Sequence, residues 1–272
     1  MRGTVEAMHH FLAWLLALTI SLTGASHFAF GPHTTSTPPL PVDTSGAPVR
    51  IPIFIYHTIT NEKVTASSYG SFSNTPELLD EHLTYLEEHG YTTVTMKEVA
   101  DMLRRGTTSP VAKPVALTFD DGWVTQYKNA LPILQKHHVK ATFYIFPNPV
   151  SKDDRFMTWE QLAELRDKGY EIASHSYTHP LLSKQTPEML HHEFADSKKL
   201  LEEKLNITVT DFASPFGYTS PAVVAELKAD GYETGRTTNQ GFTHATGTEY
   251  ALDAYLVHQG IKDFTWALEY GK

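Results

Sequence analysis

The sequence predicts an α/β fold in which repeated strand–helix units close into a barrel. Strand-like apolar runs alternate with amphipathic helical segments, and seven or eight such units fall within residues 50–272. Repeated units of this kind build a parallel sheet with helices on its outside. Their number in this length favours a closed (β/α)7–8 barrel over an open doubly wound sheet, and polar residues collect where the predicted strands end.

Each element has its own signal in the chain. Strands are predicted at 51–57, 91–95, 115–119, 140–146, 170–174, 211–214, 232–236 and 255–261. Helices are predicted at 76–89, 97–105, 124–137, 158–168, 187–205, 220–230 and 262–269. Thr75 and Ser220 each precede a proline, which predicts a hydroxyl N-cap followed by proline at the first helical position. Gly90, Gly169 and Gly231 precede strands and are expected to end helices in the left-handed conformation.

Composition narrows the kinds of protein this chain can be. Its 272 residues are 41% hydrophobic and 19% charged, enough for one sizeable core. The formal net charge is −9 and no basic run is present, so nucleic acid is not an expected partner. The absence of cysteine excludes disulfides and thiolate metal sites, so any metal must be bound by His, Asp, Glu or water.

The N-terminus predicts export. Residues 11–23, FLAWLLALTISLT, carry no charge and are shorter than the ~20 residues of a full membrane span. Residues 1–25 are therefore interpreted as a signal peptide or as an uncleaved anchor, which would hold the protein to a membrane. Residues 26–49 are rich in Pro, Thr and Ser and predict a flexible linker, and one folded domain follows at 50–272. Both interpretations, including anchoring through residues 8–25, predict an extracellular or cell-surface location.

Titratable side chains recur at the predicted strand ends. They are Tyr56 and His57 on the first strand, Asp120 and Asp121 on the third, His175 followed by Ser176-Tyr177-Thr178-His179 on the fifth, and His258 on the last. The sixth strand ends in Pro215-Phe216-Gly217-Tyr218. Because active sites of such barrels lie at the carboxyl ends of the strands, we expect these residues to share one face.

Two of these stretches together predict a metal site. The histidines of HSYTH, His175 and His179, lie in a loop or single turn that brings both imidazoles together. Two imidazoles and one carboxylate suit zinc or a related divalent ion and leave positions open for water and substrate. The second aspartate of ALTFDDG could then take a proton from a water whose pKa the ion has lowered. Taken alone, the DDG sequence predicts only a turn.

The two stretches resemble a known family. Thr118-Phe119-Asp120-Asp121-Gly122 with the HSYTH motif is similar to the polysaccharide deacetylases, also called carbohydrate esterase family four or the NodB-homology domain. The similarity covers about residues 50–270. The strand IPIFIYHTI and the stretch MTWEQLAELRDKGYEIASHSYTHPLLS look like the branch of exported poly-N-acetylglucosamine deacetylases.

The resemblance implies a distorted (β/α) barrel of about seven full repeats and a hydrolytic activity. It implies one divalent ion, with zinc expected and cobalt or nickel as alternatives, held by Asp121, His175 and His179. Asp120 would be the general base. The reaction would remove N-acetyl or O-acetyl groups from an acetylated polysaccharide or oligosaccharide and release acetate.

Further roles are implied at the same face. A backbone N–H near Phe216 would stabilise the oxyanion, and His258 would protonate the leaving amine or, alternatively, serve a structural or substrate-binding role. Tyr56 and His57 would floor the pocket or form a hydrogen-bonded pair at the barrel end. Trp123 would stack on a sugar or lie buried.

The sequence departs from the family pattern in three places. Ala213-Ser214-Pro215-Phe216-Gly217 replaces the usual Arg-Pro-Pro-Tyr-Gly, so the arginine that orients the base is absent from that motif. The Asp-x-x-Asp-Trp motif is missing, and LVHQG does not cleanly match Leu-x-x-His. These departures leave two alternatives open: a non-catalytic glycan-binding protein on the same scaffold, or a metal amidohydrolase acting on a small non-sugar amide.

Overall fold

The structure, a computed structural model, describes residues 48–62, 72–257 and 260–271. Its strands are β1 (Val49–Arg50), β2 (Ile53–Tyr56), β3 (Thr92–Val94), β4 (Pro114–Asp121), β5 (Thr142–Ile145), β6 (Glu171–Ser174), β7 (Asp211–Ala213), β8 (Thr234–Arg236), β9 (Thr243–His244) and β10 (Tyr255–Leu256). Its helices are α1 (Pro76–Glu88), α2 (Met96–Arg105), α3 (Leu131–Lys136), α4 (Trp159–Asp167), α5 (Pro187–His191), α6 (Ser197–Leu205), α7 (Pro221–Ala229) and α8 (Gly260–Tyr270).

The strands form a curled parallel sheet in the order β10-β2-β4-β5-β6-β7-β8. Its two ends are joined by the segment 249–254, which hydrogen bonds along β8 before continuing into β10. In this seam, Gly235 N–H donates to the Glu249 carbonyl at 2.8 Å, and Leu252 N–H donates to the Gly235 carbonyl at 2.8 Å. The predicted distorted (β/α) barrel is therefore confirmed.

The two faces of the sheet differ in chemistry because successive strand residues point to opposite sides. The outer face is apolar and packs beneath the helices; it includes Phe54, Phe119, Phe143 and Phe212, all 0% exposed. The inner face combines aliphatic residues with buried polar ones, namely Thr118, Asp120, Thr142, Tyr144, Asp211, Thr234 and Arg236. The polar groups of the site are thus built on the inner face.

The amino-terminal end of the barrel holds a pair of acids, the partly buried Glu171 and the fully buried Asp211. Thr142 donates to the Glu171 carboxylate at 2.7 Å, and the Lys97 N–H at the start of α2 donates to it at 3.2 Å. Burial and the neighbouring Asp211 raise the pKa of Glu171 well above its usual range. Burial also raises the pKa of Asp211. Burial and the closeness of the two carboxyl groups therefore favour a proton shared between them.

Several elements differ from the sequence prediction. The predicted strand at 91–95 is β3, which pairs only with the start of β4 and lies off the main strand order. The helix that follows it, α2, packs its apolar face against the interior cluster at the amino-terminal end of the barrel. The predicted last strand at 255–261 shortens to β10, and the antiparallel pair β1–β9 was not predicted.

The helix caps follow the sequence signals. Thr75 and Ser220 accept hydrogen bonds from the N–H groups of Leu78 and Val223, as an N-cap does. Two predicted helices contain π-helical turns, Gln126–Ala130 before α3 and His192–Asp196 between α5 and α6. Among the residues that the structure describes, no helix has the length and apolar character needed to cross a membrane.

Candidate active site

Asp120 and Asp121 are the last residues of β4 and separate at its end. Both are buried, and Asp120 follows the alternation of the strand into the barrel. Asp121 has φ 77°, a left-handed conformation that non-glycine residues seldom adopt, and Gly122 follows with φ 83°. This turn sends the two carboxylates to different partners, Asp120 to Arg236 and Asp121 to the two histidines.

The histidines lie in the loop after β6. His175 Nδ1 donates to the carbonyl of Ala213 at 2.7 Å, which leaves Nε2 without a proton and able to bind a metal. Burial lowers the pKa of His175 to about 4, with a further contribution from His179 and an opposing one from Asp120, so the ring is neutral at pH 7. Nε2 of His175 and Nε2 of His179 each lie 3.5 Å from Asp121 Oδ1.

Glu193 holds this loop in place from the second π-helical turn. Its carboxylate accepts the N–H groups of Tyr177 at 2.9 Å and Thr178 at 2.8 Å, and the Thr178 hydroxyl at 2.6 Å. Ser176 Oγ accepts the N–H of His179 at 2.9 Å. The loop conformation that brings the two imidazoles together thus depends on one buried carboxylate.

The three side chains fit a divalent cation. One ligand atom from each of Asp121, His175 and His179 can be chosen so that all lie within 4.8 Å of one another. The second oxygen of Asp121, Oδ2, accepts a hydrogen bond from Trp123 Nε1 at 2.8 Å, which orients the carboxylate. Two imidazole nitrogens and a carboxylate oxygen form a donor set typical of catalytic zinc sites.

Arg236 at the end of β8 pairs with Asp120. Its Nη2 lies 2.6 Å from both carboxylate oxygens, and its guanidinium lies over the Tyr144 ring at 5.0 Å. The third motif of this sequence lacks the arginine that would orient the base Asp120. In the structure, Arg236 from β8 takes that place. No local signal marks Arg236, because 116 residues separate it from Asp120.

The charges around Asp120 keep it ionised. Burial on its own would raise the pKa of this carboxyl. The positive charge of Arg236, with smaller contributions from His175 and His57, outweighs burial and holds the pKa of Asp120 below its usual range. Asp120 is therefore a carboxylate at neutral pH, which is the form that can accept a proton.

A cavity of about 420 Å³ opens over these side chains. It is lined by His57, Phe72, Asp120, Asp121, His175, His179, Ser214, Phe216, Thr238 and Leu256. Phe216, in a left-handed conformation with φ 58°, is 64% exposed at the rim, and its ring meets that of His179 edge-on at 4.8 Å. Phe72 stacks on His57 at 5.3 Å. The cavity thus has acids and imidazoles at its floor and aromatic walls.

The other predicted site residues differ in where the structure places them. His57 lines the cavity, and within the described ranges its buried Nδ1 has no hydrogen-bond partner. Tyr56 does not line the cavity, because its side chain is on the outer face of the sheet and pairs with His82 Nδ1 at 3.0 Å. Trp123 is not on a sugar-binding surface: it is 8% exposed and stacks on Phe156. His258 lies outside the described residues.

Gln126 was missed by sequence reasoning. It is 0% exposed, and its Nε2 donates to the backbone carbonyls of His57 at 2.9 Å and Asp120 at 2.5 Å. A buried glutamine cannot be distinguished in sequence from one on the exposed side of an amphipathic helix. Here the π-helical turn at its position brings it beneath the site.

Comparison with known proteins identifies the family of the chain. A profile of the family described as polysaccharide deacetylase matches residues 107–235. The chain is 32% identical over 214 residues to YxkH of Bacillus subtilis, a relative named as a polysaccharide deacetylase, and the match covers 79% of this chain and 74% of YxkH.

Two further similarities cover most of the domain. The poly-beta-1,6-N-acetyl-D-glucosamine N-deacetylase of Escherichia coli is 25% identical over 233 residues, which is 70% of this chain and 34% of that enzyme. The solved structure of the Streptococcus pyogenes deacetylase PplD with acetate superposes with a TM-score of 0.73 at 28% identity, over 78% of this chain and 94% of PplD. With its barrel and its paired Asp and His motifs, the chain belongs to the polysaccharide deacetylase family.

Proposed function

We propose that this protein is an exported, metal-dependent deacetylase that hydrolyses N-acetyl, or O-acetyl, groups of a cell-surface or extracellular glycan. The observation that carries the proposal is the separation of the two adjacent aspartates, one facing two imidazoles and the other paired with a buried arginine. A binding protein would need neither arrangement. Membership of the deacetylase family supports the same reaction class.

The metal would be held by Asp121, His175 and His179, with zinc as the expected ion and cobalt or nickel as alternatives. A divalent cation supplies Lewis acidity, which polarises an acetyl carbonyl and makes water more acidic. Trp123 orients Asp121 through Oδ2, and the carbonyl of Ala213 fixes the tautomer of His175. These partners keep the ligand atoms directed at one point.

Two residues of this chain would move protons. Asp120, held ionised by Arg236, accepts a proton from the attacking water. His57 lies in the same cavity and donates a proton to the leaving amine as the carbon–nitrogen bond breaks, giving acetate and a free amino sugar. We assign the donor role to His57 because it lines the cavity beside the base, and His258, which lies outside the described residues, stays the alternative donor.

The aromatic walls favour a sugar substrate. Phe216 and Phe72 present apolar rings at the cavity mouth, and such faces pack well on pyranose rings. The turn at Phe216 would also present a backbone N–H to the oxyanion. The E. coli relative is named for poly-β-1,6-N-acetylglucosamine, which makes acetylated glucosamine polymers the first substrates to test.

The non-catalytic alternative loses its main support. Two departures motivate it, the missing arginine of the third motif and the missing Asp-x-x-Asp-Trp motif; Arg236 beside the base answers the first, and the second remains. The amidohydrolase alternative differs only in substrate, and a substrate panel distinguishes it from a glycan deacetylase. Export through residues 1–25 stays a proposal from the sequence, since those residues lie outside the described ranges.

The deciding experiment measures acetate release by the purified protein with added zinc, cobalt or nickel. The substrates are β-1,6- and β-1,4-linked N-acetylglucosamine oligomers, peptidoglycan, acetylated xylan and small acetamides. We expect release from at least one glycan. Release from small amides alone would support the amidohydrolase alternative, and no release from any substrate would refute the enzyme assignment.

A matched pair of variants tests the two aspartates. Asp120→Asn should lower kcat by about 10²–10⁴-fold while one ion per chain is retained, because the proton acceptor is lost and the three metal ligands remain. Asp121→Asn should lose the ion and the activity together. Metal content by inductively coupled plasma mass spectrometry separates the two results, and loss of the ion in Asp120→Asn would reverse the assigned roles.

A further inference from the structure

We propose that Gln126 is a positioning residue that fixes the backbone of the proton donor relative to that of the base. The inference rests on the proposed function, in which Asp120 accepts a proton and His57 donates one. Gln126 is fully buried in the π-helical turn that begins the helix after β4. It touches neither substrate space nor metal ligand and acts through the two residues that do.

One amide nitrogen joins the two strand ends. The last paired residues of β2 and β4 are Tyr56 and Phe119, so His57 and Asp120 are the first residues beyond that pairing. Their carbonyl groups converge on Gln126 Nε2, at 2.9 Å and 2.5 Å. Both partners only accept hydrogen bonds, which requires the nitrogen, and not the oxygen, of the Gln126 amide to face them.

The other end of the same amide is unsatisfied. Gln126 Oε1 is buried and has no hydrogen-bond partner among the residues that the structure describes. A buried acceptor without a partner is unfavourable for folding. The orientation of the Gln126 amide is therefore set by the two carbonyls and not by its own oxygen, as a positioning role requires.

The geometry matters because both reacting side chains leave the backbone at the residues that Gln126 holds. His57 and Asp120 line one cavity, and a shift of about 1 Å between reacting groups can lower a rate by about 100-fold. The distance between them depends on the ends of β2 and β4, where regular pairing of these two strands has stopped. Gln126 replaces that pairing with a single shared donor.

The same π-helical turn offers a matched control. Asn129 Nδ2 donates to the carbonyl of Ile59 at 2.7 Å, two residues beyond His57 in the same loop. Thr125 Oγ1 also contacts this loop, through the N–H of Ile59 at 3.4 Å. Asn129 thus anchors the loop but contacts neither His57 nor Asp120, so its removal tests anchoring without positioning.

The experiment compares Gln126→Met, which keeps the length of the side chain without its donors, with Asn129→Leu. Both are made in the full chain and assayed with zinc on an N-acetylglucosamine oligomer and on 4-nitrophenyl acetate, whose leaving group departs without protonation. We expect Gln126→Met to lower kcat on the oligomer by about 10- to 100-fold with KM nearly unchanged. The loss on the aryl ester should be smaller, the bound zinc unchanged, and Asn129→Leu should keep kcat.

Several results would overturn the inference. A wild-type kcat in zinc-loaded Gln126→Met would do so, as would an equal loss in Asn129→Leu or an equal loss on both substrates. If Gln126→Met does not fold, Gln126→Asn, which shortens the same amide by one methylene, is judged by the same criteria. Absence of acetate release by the wild type would refute the proposed function, whereas an active wild type with unaffected Gln126 variants refutes only the positioning role.

Discussion

Arg236 and Asp120 form an ion pair buried in the barrel, with 1% and 3% of their surfaces exposed. Desolvation of two such charges is costly, and the pair is stable only because each neutralises the other. The stacked Tyr144 ring below Arg236 adds a favourable contact for the cation. The base is thereby oriented and kept ionised by one residue.

Removing Arg236 should therefore destabilise the whole domain. Arg236→Met leaves an unpaired buried carboxylate, and we expect it to lower the free energy of unfolding by about 3–5 kcal/mol. Urea denaturation measures this. Adding Asp120→Asn to the same protein should recover part of the loss, since no buried charge is then unpaired.

A surface pair provides the comparison for this variant. Arg104 contacts Asp101 and Glu233 with 42% of its side chain exposed. Arg104→Met should cost less than about 1 kcal/mol because solvent screens exposed ion pairs. An equal decrease in the free energy of unfolding in the two arginine variants would show that burial gives the Arg236–Asp120 pair no larger effect than a surface pair.

At the level of single residues, the sequence predicts which side chains belong to the site better than it predicts which side chains contact one another. The motifs around Asp120, Asp121, His175 and His179 predict residues that the structure does bring to one cavity. Arg236 and Gln126 carry no such signal, because their partners are distant in sequence or are backbone atoms. Tyr56 shows the opposite error: its position at a strand end is correct, but strand alternation sends it to the outer face.

At the level of elements, the two π-helical turns have the same function. The turn Gln126–Ala130 carries the residue that holds the ends of β2 and β4, and the turn His192–Asp196 carries Glu193, which holds the histidine loop. A π-helical turn widens the helix by one residue and redirects one side chain. In both helices that side chain points to a loop of the site.

Loss of Glu193 should weaken metal binding without touching a ligand. Glu193→Ala removes three hydrogen bonds to a charged acceptor, so we expect about 3 kcal/mol of destabilisation. The affinity for zinc should fall about 10- to 100-fold, since the loop no longer holds His175 and His179. Calorimetric titration of the metal measures this, and Glu203→Ala on the exposed side of α6 should leave it unchanged.

Helix boundaries were predictable from caps and glycines, whereas the π-helical turns and the place of α2 were not. Gly90, Gly169 and Gly231 have φ of 70°, 88° and 73°, as the left-handed caps require. Periodicity locates a helix but does not count one extra residue in a turn. Similarly, β3 resembles a barrel strand in sequence, and only its short pairing with β4 excludes it from the main order.

At the level of the whole molecule, we expect low pH to destabilise the fold by protonating histidines that are buried in their neutral form. His82 on α1 is fully buried, and its ring stacks on Phe264 of α8 at 4.1 Å. Burial lowers the pKa of His82 to about 4 from 6.5. Because the unfolded chain takes up the proton first, stability is full above pH 6.5 and falls as the pH drops toward 4.

The contribution of His82 can be isolated by substitution. Protonation of His82 in the unfolded chain should lower the free energy of unfolding of the wild type by about 2 kcal/mol between pH 7 and pH 5. The decrease in His82→Gln over the same range should be smaller by that amount. Urea denaturation at both pH values gives the comparison. His175 remains in both proteins, so an identical loss in the two would mean that His82 stays unprotonated in the unfolded chain or is charged in the fold.

Metal removal should also destabilise the whole domain. At a free metal concentration of 100 times the Kd, binding raises the free energy of unfolding by about 2.7 kcal/mol. This corresponds to a Tm shift of about 5–10 °C in a domain of this size. A chelator should lower the Tm of the wild type by this amount. The Tm of Asp121→Asn, which lacks a ligand, should not respond, and an equal response would place the stabilising ion elsewhere.

A hydrogen bond joins Arg50, near the start of the described chain, to the end of α8. Arg50 Nη2 donates to the carbonyl of Leu268 at 2.6 Å, so both ends of the described chain meet beside the amino-terminal end of the barrel. The cavity opens at the carboxyl ends of the strands, on the opposite side. The first described residues therefore lie on the side of the domain away from the cavity. Coupling the domain to a solid support through that side would leave the cavity mouth free to meet a polymer too large to diffuse into a cleft.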